Sequence, residues 1–352
     1  MKKLILHIGM HKTGTTSLQK VFSSSQHLLN QSNIYYADLD KFNIPNSFYV
    51  SFIDNPTDHI SFKNMEIYDF NHAKAEQERL KILWAKEFDN INSGYYIISD
   101  EELSYLPLEN VSKMRNYLKK YFDDITVIMY AREPKSFIPS IINEHIKYGD
   151  SEIYLNRITY YIDRVEKYIE VFGRNNIIIR PFNESAFKNG NLFDDFFESL
   201  NINFNTNVLD TTIETNQSLG QTALTVLMEY NKRFPRFINN EINKVRGLAS
   251  YRINIFFDIL QSLTDTKFNI DLEFTEEETN TINREINYIN QFLNVNDKFS
   301  NIKHSRNFMY TKTNNPNEVP MSFFLDLMNE YNKKIDSLID ENNELINLLK
   351  KT

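Results

Sequence analysis

The 352-residue sequence predicts an α/β fold of three layers, with a parallel sheet between helices, followed by a largely helical C-terminal portion. Two observations carry this reading. In the first half, short apolar runs alternate with segments of helical spacing, and strands separated by helices build βαβ units and parallel sheets. From about Ser218 onward the patterns are helical, with little strand.

Leu4-Ile5-Leu6-His7-Ile8 reads as the first strand, and a Gly-containing turn follows. Thr16 to Leu29 then carries Leu18, Val21, Phe22, Leu28 and Leu29 at helical spacing. A second strand falls at Tyr95–Ser99, and a helix at Glu109–Tyr121 with Val111, Met114 and Leu118 on one face. The third strand is Ile125–Ala131, bracketed by Asp123-Asp124 and Arg132-Glu133-Pro134. A helix over Tyr154–Phe172 and a fourth strand at Ile177–Arg180 complete the alternation. Beyond it, Glu241–Leu263 and Glu276–Leu293 read as amphipathic helices and Met321–Lys350 as a long one, separated by loops at Thr264–Phe274 and Asn314–Pro320.

Composition narrows the function. Hydrophobic residues at 41% are enough for a sizeable core, and charged residues at 24% are ordinary for a globular chain, so disorder is not the default. The net charge of −8 argues against nucleic acid as a partner, because such binding rests on neutralising phosphates. It leaves room for a small anion, which a few cations and backbone amides can hold locally. The absence of cysteine excludes disulfides, thiolate metal sites and a cysteine nucleophile. No metal-ligand cluster is evident, and no metal is expected. The apolar run Leu4–Ile8 is too short for a signal peptide, and no segment approaches the roughly 20 apolar residues that span a bilayer. The expectation is a cytoplasmic protein with no integral membrane segment. Its richness in Asn, Ile, Lys and Tyr suits a bacterial, AT-rich genome.

The most informative segment is Gly9-Met10-His11-Lys12-Thr13-Gly14-Thr15-Thr16-Ser17, which leaves a strand and enters a helix. Such a turn aims backbone N–H groups and the positive end of the helix dipole at one point, where an anion fits. Gly9 and Gly14 permit the tight turn, Thr15, Thr16 and Ser17 add hydroxyls, and Lys12 adds a full charge. The spacing from Gly9 to Gly14 matches the frame of the P-loop. A nucleotide triphosphatase, however, needs Lys-Ser/Thr after the second glycine, and here Thr15 stands in the lysine position while Lys12 precedes Gly14 by two. The loop is therefore P-loop-like and built for an anion, without the usual Mg-ATP arrangement.

Lys12-Thr13-Gly14-Thr15-Thr16 resembles the 5′-phosphosulfate loop of sulfotransferases that use 3′-phosphoadenosine-5′-phosphosulfate (PAPS), and the stretch from His7-Ile8-Gly9 through Leu18-Gln19 is similar to the version in bacterial carbohydrate-type members. The resemblance covers roughly residues 4–230. It implies that Lys12, Thr13, Gly14, Thr15, Thr16 and Ser17 hold the phosphosulfate. It also implies that Arg132, with Ser140 eight residues on, clamps the 3′-phosphate, for which a guanidinium gives a bidentate grip. Taken alone, Arg132 reads as a strand-end arginine paired with Glu133 or Asp100. Pro139 precedes Ser140, so a helix starts or kinks there.

Ser99-Asp100-Glu101-Glu102-Leu103 looks like the Ser-x-Glu-x-Leu segment of carbohydrate sulfotransferases, which implies that Glu101 takes the acceptor proton. Asp100 and Glu102 are alternatives, as are His11 and His145, and Ser99 or Asp100 could equally be a helix N-cap. Arg180-Pro181-Phe182, Asp194-Asp195-Phe196 and Asn216-Gln217-Ser218-Leu219 are similar to bacterial members without a contact that the sequence can assign.

The resulting expectation is a PAPS-binding core at 1–230, a helical insertion or cap on the acceptor side at 231–315, and a C-terminal helix at 316–352 through which a homodimer could form. Lys12 and Glu101 are the catalytic candidates. The acceptor class is a carbohydrate or glycolipid bearing a hydroxyl or amine. Lys303, His304, Ser305 and Arg306 are a basic cluster that could close over the nucleotide, or a solvated helix end. The rivals are an ATP-dependent phosphotransferase and a non-catalytic nucleotide-binding scaffold.

Overall fold

A computed structural model describes residues 1–37, 42, 46–152, 161–211, 219–239, 241–243, 246, 274–303, 329, 331, 333, 335–340 and 342. They form two compact units. The first comprises the described residues of Met1–Ile138, Arg157–Asn216 and Phe274–Arg306; the second, those of Pro139–Asn156, Gln217–Glu273 and Asn307–Thr352.

The first unit is built on five parallel strands, β1 (Lys2–Ile8), β2 (Ile34–Tyr36), β3 (Gly94–Asp100), β4 (Asp124–Ala131) and β5 (Ile177–Pro181), in the order β2-β3-β1-β4-β5. The expected α/β class is observed. β1 lies at the centre, with His7 opposite both Ser99 and Ile128 and Ile8 opposite Asp100. Strand side chains alternate between faces. Ile5, Ile97, Ile128 and Tyr130 share one buried cluster with Leu18, Val21 and Phe22 of α1 (Thr15–Ser24) and with Phe193, Phe196 and Phe197 further along the chain. On strands buried on both faces, near-continuous apolar runs are what parallel sheets require.

The helix expected over Thr16–Leu29 is two, α1 and α2 (Gln26–Gln31), divided at Ser25 with φ −104° and ψ 15°. Ser24 Oγ donates to the Val21 carbonyl at 3.1 Å, the local competition with helix bonding for which serines are known. Between β2 and β3 the chain adds α3 (Ser47–Val50), α4 (Ile60–Asn64) and α5 (Phe70–Asp89), none of them expected from sequence. Val50, Phe62, Ile67, Ala73 and Leu80 form a second small core there.

α6 (Leu108–Leu118) buries Val111, Met114 and Leu118, as its spacing predicts. α7 (Pro134–Lys147) contains Pro139 rather than starting at it, and the boundary between the two units falls within this helix. α8 (Tyr161–Phe172) packs on α6, β4 and β5. The earlier part of the helix expected from Tyr154 lies outside the described residues. α9 (Leu192–Ser199) supplies the three phenylalanines named above, and its Asn191 N-cap accepts from the N–H groups of Phe193 and Asp194.

In the second unit, α10 (Gln221–Arg233) is joined to the end of α7 through Asn231, whose Nδ2 donates to the carbonyls of Ile146 and Asp150, both at 2.8 Å. The helix expected from Glu241 is corrected at its start. Glu241–Ile242 is strand β7, antiparallel to β6 (Phe237–Ile238). Residues 244, 245 and 247–263 of that segment, the loop at 314–320 and residues 304–306 lie outside the described residues. Residues 335–340 of the expected C-terminal helix are helical. α11 (Glu276–Ile289) begins with a capping box from Thr275 and Glu278 and packs on α8, within the first unit.

Candidate functional site

The turn after β1 is held from below. Gly9 N–H donates to the Asp100 carbonyl at 3.2 Å, and Gln19 Nε2 donates to the Ser99 carbonyl at 2.8 Å, so the loop is tied to the tip of β3. Thr13 Oγ1 donates to the Met10 carbonyl at 2.6 Å, which commits that buried hydroxyl to shaping the turn. Lys12 (φ 63°) and Gly14 (φ 78°) both adopt the left-handed conformation.

Gly14 is the N-cap of α1 and offers no side chain to it. The N–H groups of the first turn therefore have no side-chain acceptor of the usual kind. Thr15 is buried and its Oγ1 has no hydrogen-bond partner, while Thr16 is exposed and Ser17 half-buried. A Cβ on Gly9 would stand 2.4 Å from Thr15 Oγ1, and one on Gly14 would stand 2.7 Å from both Leu192 and Phe182. Both glycines are thus required by close approach. This turn fits a phosphate or phosphosulfate: an uncapped helix N-terminus and a cradle with no room for side chains.

Arg132 reaches the loop directly. Its Nη1 donates to the Lys12 carbonyl at 2.9 Å and its Nε to Ser136 Oγ at 3.2 Å, one helical turn ahead on α7. The guanidinium lies 5.9 Å from the Phe182 ring centre. Burial lowers its pKa and the neighbouring Tyr161 works the other way; Tyr161 also donates its hydroxyl to the Arg132 carbonyl. Gly14, Ser17, Arg132, Ser136 and Phe182 line one cavity of about 820 Å³ within the first unit. Ser140, the serine that the family pattern selects, is half-buried on α7 and belongs to the second unit.

Three consecutive carboxylates end β3, and each has a different environment. Asp100 is fully buried, and burial with the charge of Glu102 raises its pKa to about 7 against hydrogen bonds from the Glu102 and Tyr49 backbones. Glu101 Oε2 lies 2.5 Å from His11 Nδ1, so the structure joins two candidate residues of the sequence, 90 positions apart. Burial pulls the His11 pKa down, but the hydrogen bond and charge of Glu101 with the charge of Glu102 outweigh it, and the net shift is upward.

Glu102 accepts from His59 Nε2 at 3.1 Å and from Asn46 Nδ2 at 3.2 Å. Burial raises its pKa, and the His59 hydrogen bond together with the charges of His59 and His11 outweighs this to leave it lowered. His59 Nδ1 accepts from Ser61 N–H, which fixes the tautomer that donates to Glu102. His145 lies in the second unit, 3.6 Å from Asp150.

His7 was not a candidate, yet it is buried beneath the loop with Nδ1 2.7 Å from Ser99 Oγ, and burial drops its pKa to about 3. Asp195, from a segment to which sequence assigned no contact, accepts from Arg180 Nη2 at 2.6 Å and from the Tyr130 hydroxyl at 2.9 Å. It joins β4, β5 and α9 behind the cavity. The basic residue Lys303 is exposed. Among the described residues there is no group of three or more His, Cys, Asp or Glu able to hold a metal ion, and no helix long and apolar enough to cross a membrane.

The fold and the site thus describe an α/β protein whose strand-to-helix turn and strand-end arginine face one cavity. No family model matches the sequence, and no curated protein matches it. Among solved structures it is similar to a sulfotransferase from Alicyclobacillus acidocaldarius, at 17% identity and TM-score 0.33, covering 60% of this chain and 85% of that one. The sulfotransferase domain from the curacin biosynthetic pathway is similar at 9% identity and TM-score 0.37, covering 81% and 97%. The PezAT toxin-antitoxin system of Streptococcus pneumoniae is similar at 13% identity and TM-score 0.28, covering 51% and 69%. Likenesses this distant define no function, and the functional reading rests on the site itself.

Proposed function

We propose that the protein is a sulfotransferase that moves the sulfuryl group of PAPS to a hydroxyl or amine of a carbohydrate or glycolipid acceptor. The supporting observation is that Gly14 and Ser17 line the same cavity as Arg132 and Ser136. A donor carrying phosphate at both the 3′ and 5′ positions of one ribose needs two anion-holding groups that face the same chamber. When bound, PAPS supplies an activated sulfuryl group on a phosphate leaving group.

The N–H groups at the start of α1, with Lys12, Thr13, Gly14, Thr15, Thr16 and Ser17, form the 5′ end of the site. Lys12 and these amides stabilise the charge that grows on the bridging oxygen, which is preorganised electrostatic catalysis. Arg132 holds the 3′-phosphate, assisted by a hydroxyl from α7, either Ser136 or Ser140. The His11–Glu101 pair, at the tips of the central strands, takes the acceptor proton. A sulfuryl group carries less charge than a phosphoryl group, so the reaction proceeds without a metal. Thr15 in the position where Mg-ATP enzymes place lysine favours this reading over a phosphotransferase.

Calorimetry tests the donor. Adenosine 3′,5′-bisphosphate should bind without Mg²⁺ and about 10- to 100-fold more tightly than AMP or ADP, the scale of one or two charge-assisted hydrogen bonds. Labelled sulfate should pass from PAPS to one of a panel of oligosaccharides, and Lys12→Ala should abolish that transfer. Mg²⁺-dependent ATP binding with no preference for a 3′-phosphate would replace the proposal with a phosphotransferase. Tight bisphosphate binding with no transfer to any acceptor would leave a nucleotide-binding scaffold.

A further inference from the structure

We propose that His11 is the general base of this site, acting through Nε2, and that Glu101 is a positioning residue that orients and charges-stabilises it; this assignment rests on the donor reading above. The geometry is that of a histidine–carboxylate pair. His11 Nδ1 and Glu101 Oε2 are 2.5 Å apart, and both side chains are 23% exposed, so the pair is sheltered but reachable. An ionised carboxylate only accepts hydrogen bonds, so Nδ1 carries the proton and Nε2 keeps the lone pair. Among the described residues no hydrogen bond occupies His11 Nε2.

The other carboxylates at this strand end are engaged. Glu102 is held by His59 and Asn46, and Asp100 is fully buried, with its Oδ1 accepting from Glu102 N–H at 2.9 Å. His59 has both ring nitrogens in use, toward Ser61 and Glu102. A carboxylate is also a weaker base than imidazole by about two pH units in unperturbed peptides, and a catalytic base works best near the ambient pH.

Several charged groups face the imidazole. Glu101 and Glu102, at the end of β3, favour its protonated form. Arg164, on α8, opposes it; its guanidinium lies 3.8 Å from the Tyr105 ring, and that ring packs 5.8 Å from His11. Lys12 is the neighbouring cation in the loop itself. The two carboxylates outweigh burial and Arg164 together, which makes His11 a stronger base than a free histidine.

In the transfer step the acceptor oxygen forms a bond to sulfur as the bond from sulfur to the donor's phosphate oxygen breaks. The bonding pair leaves with that oxygen, giving adenosine 3′,5′-bisphosphate. The acceptor proton passes to His11 Nε2, and Glu101 stabilises the imidazolium. Solvent takes the proton after the products leave.

Three measurements on the full-length chain test the assignment. NMR titration of the His11 imidazole should give a pKa above the ordinary histidine value in the wild type and a lower one in Glu101→Gln. With PAPS and the best oligosaccharide of the panel, the acid limb of the kcat/KM profile should follow the His11 titration and move to lower pH in Glu101→Gln. His11→Ala should lose about 10²- to 10⁴-fold in kcat, bind adenosine 3′,5′-bisphosphate within a few-fold of the wild type, and recover rate on addition of imidazole. A His11→Ala variant that keeps its rate, or a limb unmoved in Glu101→Gln, would overturn the base assignment while the donor reading stood. A wild-type protein that fails to bind the bisphosphate would overturn the donor reading and this proposal with it.

Discussion

Arg132 ties two parts of the site together in a way that lysine could not. One nitrogen of the fork holds the Lys12 carbonyl and another holds Ser136 Oγ, while its face lies toward Phe182. An ammonium has no planar fork with which to make these contacts at once. Arg132→Lys should therefore weaken adenosine 3′,5′-bisphosphate binding about 10- to 100-fold, the scale of a lost bidentate contact, with little change in the urea midpoint. Ser136→Ala and Ser140→Ala, measured beside it, identify the hydroxyl that assists: only the true partner should lose affinity. In the sequence, Lys12 was visible as the charge in the glycine-flanked turn, and Arg132 and Glu101 through the resemblance that also pointed to Ser140. The sequence could not pair His11 with Glu101, since 90 residues separate them and only the β1–β3 register brings them together. It also had no way to see that Ser136 lies one helical turn from Arg132 and bonds it, because that depends on α7 starting at Pro134.

At the scale of elements, α1 depends on Gly14 for its position as well as its start. A Cβ there would meet Leu192 and Phe182 at 2.7 Å, and φ is +78°. Gly14→Ala should lower stability by about 1–2 kcal/mol from the left-handed backbone alone, and by more from the clash. Gly14→Ala should also lose bisphosphate affinity, so urea midpoint and calorimetry on this variant check the two effects together. Long apolar strands were legible from pattern, because β1, β3 and β4 are buried on both faces over most of their length and β5 is an unbroken run of three isoleucines. β2, with three residues, is too short to show a period, as are α3 and α4 with four and five; α5 buries Ala73, Gln77, Leu80, Trp84 and Phe88 at helical spacing, but a glutamine and an alanine among them weaken the apolar stripe. The strand at Glu241–Ile242 escaped through its shortness: two residues in a hairpin carry no periodicity against a helical-looking neighbourhood.

At the scale of the whole molecule, two buried groups at the strand ends set opposing pH dependences. Asp100 has a folded pKa of about 7 against an ordinary 3.8, so the folded state holds the extra proton, and stability falls as pH rises from about 4 to about 7. His7 has a folded pKa of about 3 against 6.5, so the unfolded state holds the extra proton, and stability rises as pH rises from about 3 to 6.5. Each amounts to about 1.4 kcal/mol per pH unit in its window, and in the overlap they largely cancel. Asp100→Asn should remove one side of that balance. Urea midpoints of the variant relative to the wild type should climb steadily between pH 4 and 7, and a flat difference would mean that Asp100 is not buried as a neutral acid.

The central place of β1 has a consequence for synthesis. Its two neighbours are the strands at 94–100 and 124–131, so the segment made first among the five is satisfied only after more than a hundred further residues have left the ribosome. At about 5–20 residues per second, Leu4-Ile5-Leu6 waits several seconds or longer with both edges unpaired. The nascent chain passes through an interval in which its stickiest stretch has no sheet to join, and chaperone occupancy of the ribosome-bound chain should peak there.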